Sequence, residues 1–164
     1  MGNFKLTLNV ATFLCSLVAG FEFGNAEVVK PGIGNLGDGE FLRAFQVMDR
    51  VIQKNQPHFM LMWIGSVVAL LAAAAVGFGH LDGTGRVLII TAVLLYLHGV
   101  QLPTATINIH LNNAVQALEI DAMDEKARGA ARQDFEPRWT YWNTMRTVMA
   151  CLVSVLLILL LLRL

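Results

Sequence analysis

Charge and cysteine are scarce in this chain of 164 residues. Only 15% of the residues are charged, whereas soluble domains carry about 25%. Twelve Lys and Arg balance twelve Asp and Glu, so the chain lacks the basic field that attracts nucleic acid. The two cysteines, Cys15 and Cys151, lie inside apolar runs without disulfide or zinc spacing and are interpreted as packing residues. These scarcities argue against a soluble enzyme, a nucleic-acid-binding protein and a disulfide scaffold.

Motifs for metal and nucleotide chemistry are also missing. The four histidines are scattered along the chain, and none forms the HxxxH or ExxH pair of a metal site in a helical bundle. The chain contains no P-loop and no GxSxG motif, so P-loop nucleotide binding and serine hydrolase chemistry are not indicated. We therefore expect no bound metal and no nucleotide.

Four long apolar runs dominate what is present, and 55% of the chain is apolar. A helix needs about 20 mostly apolar residues to cross a hydrocarbon core of roughly 30 Å. The runs predict spans over approximately residues 6–29, 58–78, 87–108 and 140–162. The sequence therefore predicts an all-α integral membrane four-helix bundle, with residues 1–164 forming a single transmembrane domain in the lipid bilayer.

The first run has two interpretations. The basic start MGNFK, the apolar stretch LTLNVATFLCSLVAG and the small residues near position 24 resemble a secretory signal peptide. The alternative is a retained span that carries Glu22 into the membrane. We expect the segment to be retained as a span.

The segments between the spans differ in character. The Gly-rich stretch PGIGNLGDG predicts an irregular connector. In the stretch that follows, Phe41, Phe45, Met48 and Ile52 recur at helical spacing, which predicts an amphipathic interfacial helix over residues 39–55. The charged stretch 119–137 is predicted to be a loop that Pro137 separates from the last helix.

Lys and Arg are distributed unequally between the two sides of the membrane. One side carries three of them, Lys5, Arg86 and Arg163, whereas the other carries eight: Lys30, Arg43, Arg50, Lys54, Lys126, Arg128, Arg132 and Arg138. Basic residues favour the cytoplasmic side. We expect a multi-pass protein of the plasma (inner) membrane with both termini on the non-cytoplasmic side.

The third span carries a polar stripe. At about 100° per residue, one sector of this helix contains His98, Gln101, Ala105, Asn108, Asn112 and Gln116. Pro103 is expected to kink the helix near His98. Polar residues within spans face the bundle interior, either as hydrogen-bonding contacts between helices or as the lining of a functional site.

Two opposite charges are predicted to lie at matched depth. At a rise of about 1.5 Å per residue, Glu22 and Arg146 lie at similar distances from the cytoplasmic boundary, which predicts an ion pair because either charge alone is costly in the membrane. The side chains expected at nearby levels are Asn25, Gln46, Asp49, Asn108 and Asn143. This constellation is either a binding pocket or a structural polar plug.

Four segments resemble a known family of small four-helix membrane proteins. They are FEFGNAEVVKPGI, FQVMDRVIQKNQPHFM, PTATINIHLNNAVQAL and RWTYWNTMRTVMA, in this order. The most specific features are the asparagine-rich end of the third span and the W–N–x–x–R arrangement of Trp142, Asn143 and Arg146. Together they resemble the anthrone oxygenase-like family, much of which is described only as a domain of unknown function.

The resemblance implies oxidation of anthrones to anthraquinones with O₂ and without a metal or flavin cofactor. Such a reaction needs a base and a group that stabilises an oxyanion. Residue type and depth suggest Glu22 or Asp49 as the base, and Arg146 with Asn108 or Asn112 as stabilisers. The remaining polar residues are candidates for binding an apolar aromatic, anthrone- or quinol-like molecule: Asn25, Gln46, His98, Gln101, Trp142 and Asn143.

Two other functions fit the same residues. A non-catalytic accessory or assembly subunit of a membrane complex would use the polar stripe as contacts between helices. A small transporter or quinone-binding protein would use it as a path or a binding site. A homo-oligomer or a membrane partner is compatible with each of these interpretations.

Overall fold

The computed structural model describes residues 2–164, which form five helices and one short 3₁₀ turn. The helices are α1 (Gly2–Gly34), α2 (Asp38–Gln53), α3 (Pro57–Gly77), α4 (Gly83–Gln116) and α5 (Glu125–Leu162). In this part of the chain, α1, α3, α4 and α5 are long and apolar enough to cross a membrane, and no strand is present. The prediction of an all-α, multi-pass membrane protein with an additional amphipathic helix is confirmed.

The four spanning helices pack in the order α3, α1, α5, α4. Helix α1 contacts both α3 and α5, and α4 packs against α5. Fully buried apolar side chains fill the end of the bundle that contains the termini, including Phe4, Leu8, Ile89 and Leu157. One polar contact crosses this core, where the hydroxyl oxygens of Ser66 and Tyr96 lie 2.6 Å apart.

Capping side chains determine where three helices begin. Gln56 Oε1 accepts a hydrogen bond from the Phe59 N–H at the start of α3. Asp82 caps α4 by accepting from the Gly85 N–H at 2.7 Å, and this hydrogen bond is the main reason that the pKa of Asp82 is lowered. Asp124 caps α5 in the same way through the Ala127 N–H. Each cap satisfies a backbone donor that the first helical turn leaves free.

Helix α2 lies across the opposite end of the bundle. Its apolar face, with Phe41, Leu42 and Phe45, forms a second buried cluster with residues of α4 and α5. Phe45 packs edge-on against Phe135 of α5, with ring centroids 4.5 Å apart. This packing places α2 across that end of the bundle, and we call α2 the floor.

Two segments predicted to be irregular are helical over most of their length, and the predictions are wrong there; residues 35–37 and 123–124 are irregular as predicted. Helix α1 continues to Gly34, where Arg132 donates to the backbone oxygens of Gly34 and Leu36, at 2.8 Å each, and so satisfies carbonyls at the helix end. The charged segment is also helical from Glu125 onward, and Pro137 lies inside α5 rather than before it. Burial of Phe135 against α2 and the ion pair between Arg132 and Glu136 stabilise the helix on the N-terminal side of the proline.

Candidate functional site

A cavity of about 670 Å³ lies between the spanning helices and α2. All five helices contribute to its lining. Much of the wall is apolar and aromatic, with Phe21, Phe45, Phe59, Met60, Trp63 and Trp139 among its residues. An apolar cavity with a few convergent polar groups is typical of a small-molecule site.

A buried ion pair lies on the side of the cavity formed by α1 and α5. Arg146 Nη2 donates to Glu22 Oε2 at 3.1 Å, and both side chains are buried. The same nitrogen donates to Asn143 Oδ1 at 3.0 Å. The predicted pairing of Glu22 with Arg146 is confirmed, and it leaves neither charge without a counter-ion.

Thr104 on α4 accepts a hydrogen bond from the second terminal nitrogen of the Arg146 guanidinium. Arg146 Nη1 donates to Thr104 Oγ1 at 2.7 Å, and the threonine hydroxyl donates in turn to the Val100 carbonyl. The third nitrogen, Arg146 Nε, is buried and has no hydrogen-bond partner in residues 2–164. Arg146 therefore links three helices and leaves its Nε–H unpaired within the described residues.

Asn108 places an unsatisfied amide at the cavity. Its side chain lines the cavity and the residue is only 2% exposed. Neither Nδ2 nor Oδ1 has a hydrogen-bond partner in the described part of the chain. A buried polar atom without a partner costs about 1–3 kcal/mol, which makes this amide a candidate to bind a group that enters the cavity.

Asp49 anchors a polar network on the floor of the cavity. Its Oδ1 accepts from Asn112 Nδ2 at 2.7 Å, and its Oδ2 accepts from Gln53 Nε2 and Gln116 Nε2 at 2.7 and 3.0 Å. Asn112 Oδ1 accepts in turn from Trp139 Nε1. Three donors already occupy the Asp49 carboxylate, whereas the residues described here provide no hydrogen bond to Glu22 Oε1.

Comparison with protein families identifies the family of this chain. The family model described as anthrone oxygenase matches residues 50–156. The chain belongs to the anthrone oxygenase family. The match covers α3, α4 and most of α5, and with them Asn108, Asn143 and Arg146. Glu22 and Asp49 reach the same cavity from the preceding part of the chain. Comparison with curated proteins and with solved structures found no match.

In this member of the anthrone oxygenase family, the predicted stripe on the third span is only partly correct. Asn108 and Asn112 line the cavity, and Gln116 lies beside it at Asp49. His98 is exposed on the outer surface, where its ring nitrogen contacts the Leu94 carbonyl of its own helix. The prediction that His98 shares a face with Asn108 is therefore wrong.

Wide turns in α4 explain this difference. Residues Tyr96–Gln101 and Thr104–Asn108 are π-helical, and each π turn contains an extra residue, because its hydrogen bonds join residues five apart. The inward positions consequently follow one another at intervals of four: Tyr96, Val100, Thr104 and Asn108. Extrapolation at 100° per residue does not hold across such turns.

Three further predicted site residues lie outside this cavity of the anthrone oxygenase fold. Gln46 donates to the Val115 and Leu118 carbonyls and joins α2 to the end of α4. Gln101 is half-buried, and its Nε2 finds no partner in residues 2–164. Trp142 packs edge-on against Tyr141. Asn25, by contrast, lines the cavity, where it donates to the Phe21 carbonyl.

Sequence reasoning missed two residues that contact the polar lining. Trp139 was not among the predicted site residues, yet it lines the cavity and donates a hydrogen bond to Asn112. Thr104 was not singled out, although it binds Arg146 directly. The one available signal for Thr104 was its place beside Pro103, where a side-chain hydroxyl readily bonds a backbone carbonyl one turn earlier.

Proposed function

We propose that this protein oxidises an apolar aromatic compound of the anthrone type with O₂ in the cavity beside Arg146. The single observation that carries the proposal is the unsatisfied amide of Asn108 in an aromatic-walled cavity. The family match supports the choice of reaction. The accessory-subunit interpretation has less support because a purely structural amide would be expected to find a partner.

The proposed reaction needs a base and stabilisation of negative charge. Anthrone carries a CH₂ group opposite its ketone, and removing one proton places the electron pair on the ketone oxygen. O₂ then forms a bond to the former CH₂ carbon and takes up the electrons, which gives a hydroperoxide after protonation. Loss of water from the hydroperoxide leaves a second carbonyl, so anthrone and O₂ yield anthraquinone and water.

Glu22 is better placed than Asp49 to act as the base. Its Oε1 is free of hydrogen bonds within residues 2–164, whereas both oxygens of Asp49 accept bonds from amide donors. A general base must reach the proton that it removes, and an oxygen without a donor is available for this. We propose that Asp49 instead holds α2, the floor of the cavity, against α4.

Arg146 and Asn108 are proposed to stabilise the substrate oxyanion. When Glu22 takes up the proton, it loses its negative charge and the substrate oxygen gains one. The guanidinium of Arg146 therefore keeps an anionic partner throughout, so the net charge of the buried site is unchanged. Preorganised donors of this kind act strongly in a site that excludes water.

The unequal distribution of basic residues supports a cytoplasmic location for the proposed reaction. The loops beside α2 and before the membrane-embedded part of α5 carry most of the Lys and Arg, which favours the cytoplasmic side. We infer that the cavity lies at the cytoplasmic end of a bundle in the plasma membrane, with both termini outside.

The test is anthrone-dependent O₂ uptake by the purified protein in lipid vesicles. One O₂ should be consumed for each anthraquinone formed, above the rate without protein. Glu22→Gln should lower the rate about 10²-fold or more, the usual effect of losing a general base. The control is Glu27→Gln, which changes an exposed glutamate of the same helix.

Three results would contradict the proposal. O₂ uptake that matches the protein-free rate would remove the oxygenase activity. Wild-type turnover by Glu22→Gln, at equal folded yield, would remove Glu22 as the base. Binding of anthraquinone without any oxidation of anthrone would instead favour a quinone-binding protein.

A further inference from the structure

The packing of the four spans leaves one side of the bundle open. Helix α3 packs against α1, and α4 packs against α5. Tyr96 of α4 still meets Ser66 of α3. Beyond Tyr96, α4 contacts α5 and α2, and within residues 2–164 this part of α4 is not packed closely against α3. Helix α2 likewise contacts α4 and α5 rather than α3. A gap therefore separates α3 from the second half of α4.

The edges of this gap are apolar side chains that belong to the cavity lining. Ile64 on α3 and Ile109 on α4 both line the cavity, yet they are 58% and 47% exposed. Val51 of α2 also lines the cavity and is 54% exposed. Residues that face both the cavity and the outside mark the place where the cavity opens.

The charged groups of the cavity lie away from this gap. Glu22 and Lys30 are on α1, Asp49 is on α2 and Arg146 is on α5. The residues that α3 and α4 contribute to the lining are all uncharged. The opening between α3 and α4 therefore suits a neutral, apolar molecule.

The opening lies at the depth of the ion pair. Ile64 comes seven residues after the start of α3 at Pro57, and Arg146 comes seven residues after Trp139, which packs against Phe45 of α2. At a rise of about 1.5 Å per residue, both lie roughly 10 Å along their helices from the end of the bundle that α2 covers. Because α3 and α4 are both membrane spans, the gap between them faces the hydrocarbon layer.

We infer that ligands enter and leave the cavity sideways, from the hydrocarbon core of the bilayer, between Ile64 and Ile109. The proposed function supplies the identity of the ligand, an apolar aromatic ketone, which concentrates in the bilayer because of its apolar surface. The route brings the molecule directly to the level of Arg146 and Glu22. The competing occupant of the gap is a lipid acyl chain.

The experiment separates access from binding by using the product as a probe. Anthraquinone is not oxidised further in the proposed reaction, and its arrival is followed through quenching of the fluorescence of Trp63 and Trp139, which line the cavity. The test variants are Ile64→Phe and Ile109→Phe in phosphatidylcholine vesicles. Leu61→Phe and Leu102→Phe are the controls, because both leucines are exposed on the same two helices outside the cavity lining.

A narrowed entrance should slow association and dissociation by the same factor, about tenfold, and leave Kd unchanged. The two controls should behave as the wild type does. Association that depends on the mole fraction of anthraquinone in the lipid, rather than on its concentration in water, is the second expected result. Tenfold slowing of both rates in phosphatidylcholine identifies the gap as the route even if anthrone is not oxidised.

The opposite outcomes overturn the inference. Unchanged rates in both test variants, with anthrone oxidation intact, would reject the sideways route and leave the proposed function standing. A change in Kd without equal changes in both rates would make Ile64 and Ile109 binding residues instead. Failure of anthraquinone to displace a bound lipid acyl chain, with no quenching in the wild type, would identify the gap as a lipid site.

Discussion

Glu22 and Arg146 lie 124 positions apart in the chain, and their side chains meet at 3.1 Å inside the membrane-spanning bundle. The contact joins the first span to the last, and Thr104 extends it to α4. A pair of buried charges is costly to desolvate, and each charge depends on the other. Both the stability of the fold and the proposed chemistry therefore depend on this pair.

Replacing either charge alone should destabilise the fold more than replacing both. We expect Glu22→Leu and Arg146→Leu each to lower the free energy of unfolding by about 3–5 kcal/mol, because each leaves an unpaired buried charge. The double variant should recover much of this loss. Denaturant unfolding in detergent micelles measures the three differences, and strictly additive values would show that the two side chains are not coupled.

Asn108→Leu should raise stability while it lowers activity. The substitution removes two polar atoms that are buried without partners, which is worth about 1–3 kcal/mol to the ligand-free protein. Anthrone oxidation should fall at least about tenfold, since one donor to the oxyanion is lost. Unfolding and O₂ uptake are measured on the same preparation. A loss of stability would mean that the amide has a structural partner after all.

Asp49→Asn should loosen α2 from the bundle. The carboxylate accepts hydrogen bonds from three side-chain amides of α2 and α4, and bonds to a charged group contribute about 1.5–3 kcal/mol each. Limited proteolysis between α1 and α3 should become faster. Asp134→Asn is the control because its side chain is exposed. Equal cleavage of the two variants would contradict the role assigned to Asp49.

A cysteine introduced at Ala130 should report the orientation. Ala130 is exposed near the start of α5, on the side that carries most basic residues, whereas Cys15 and Cys151 lie within the spans. A membrane-impermeant maleimide should label the variant only after the cells are permeabilised. Labelling of intact cells would place this end of the bundle outside and reverse the proposed topology.

The spans and the ion pair could be predicted from the sequence because both follow from the free-energy cost of transferring polar and charged groups into lipid. Apolar runs must be long enough to cross, and two opposite charges at one depth must meet. The helical phase of α4 could not be obtained in this way, since no composition signal marks the wide turns around Pro103. For the same reason, His98 was placed with Asn108 although the two side chains face different directions.

Long-range packing explains the other differences between the predicted and the observed structure. Trp139 rather than Trp142 reaches the cavity because it faces Phe45 of α2, a contact that depends on where α2 docks. The charged segment before the last span is helical because Phe135 is buried against that same helix. Neither partner could be assigned from local propensity alone.

The wide turns of α4 give this helix a place where its length can change without altering the site. Deleting one residue between Leu97 and Leu102 would let a π turn relax to an ordinary α-helical turn. Tyr96 and Thr104 would then be separated by seven residues, close to two ordinary turns, so Thr104 and Asn108 would still face Arg146. The same deletion in a regular α-helical part of the span would rotate every side chain beyond it by about 100°. A homologue one residue shorter in the wide turn could thus keep both the bundle and the lining of the cavity.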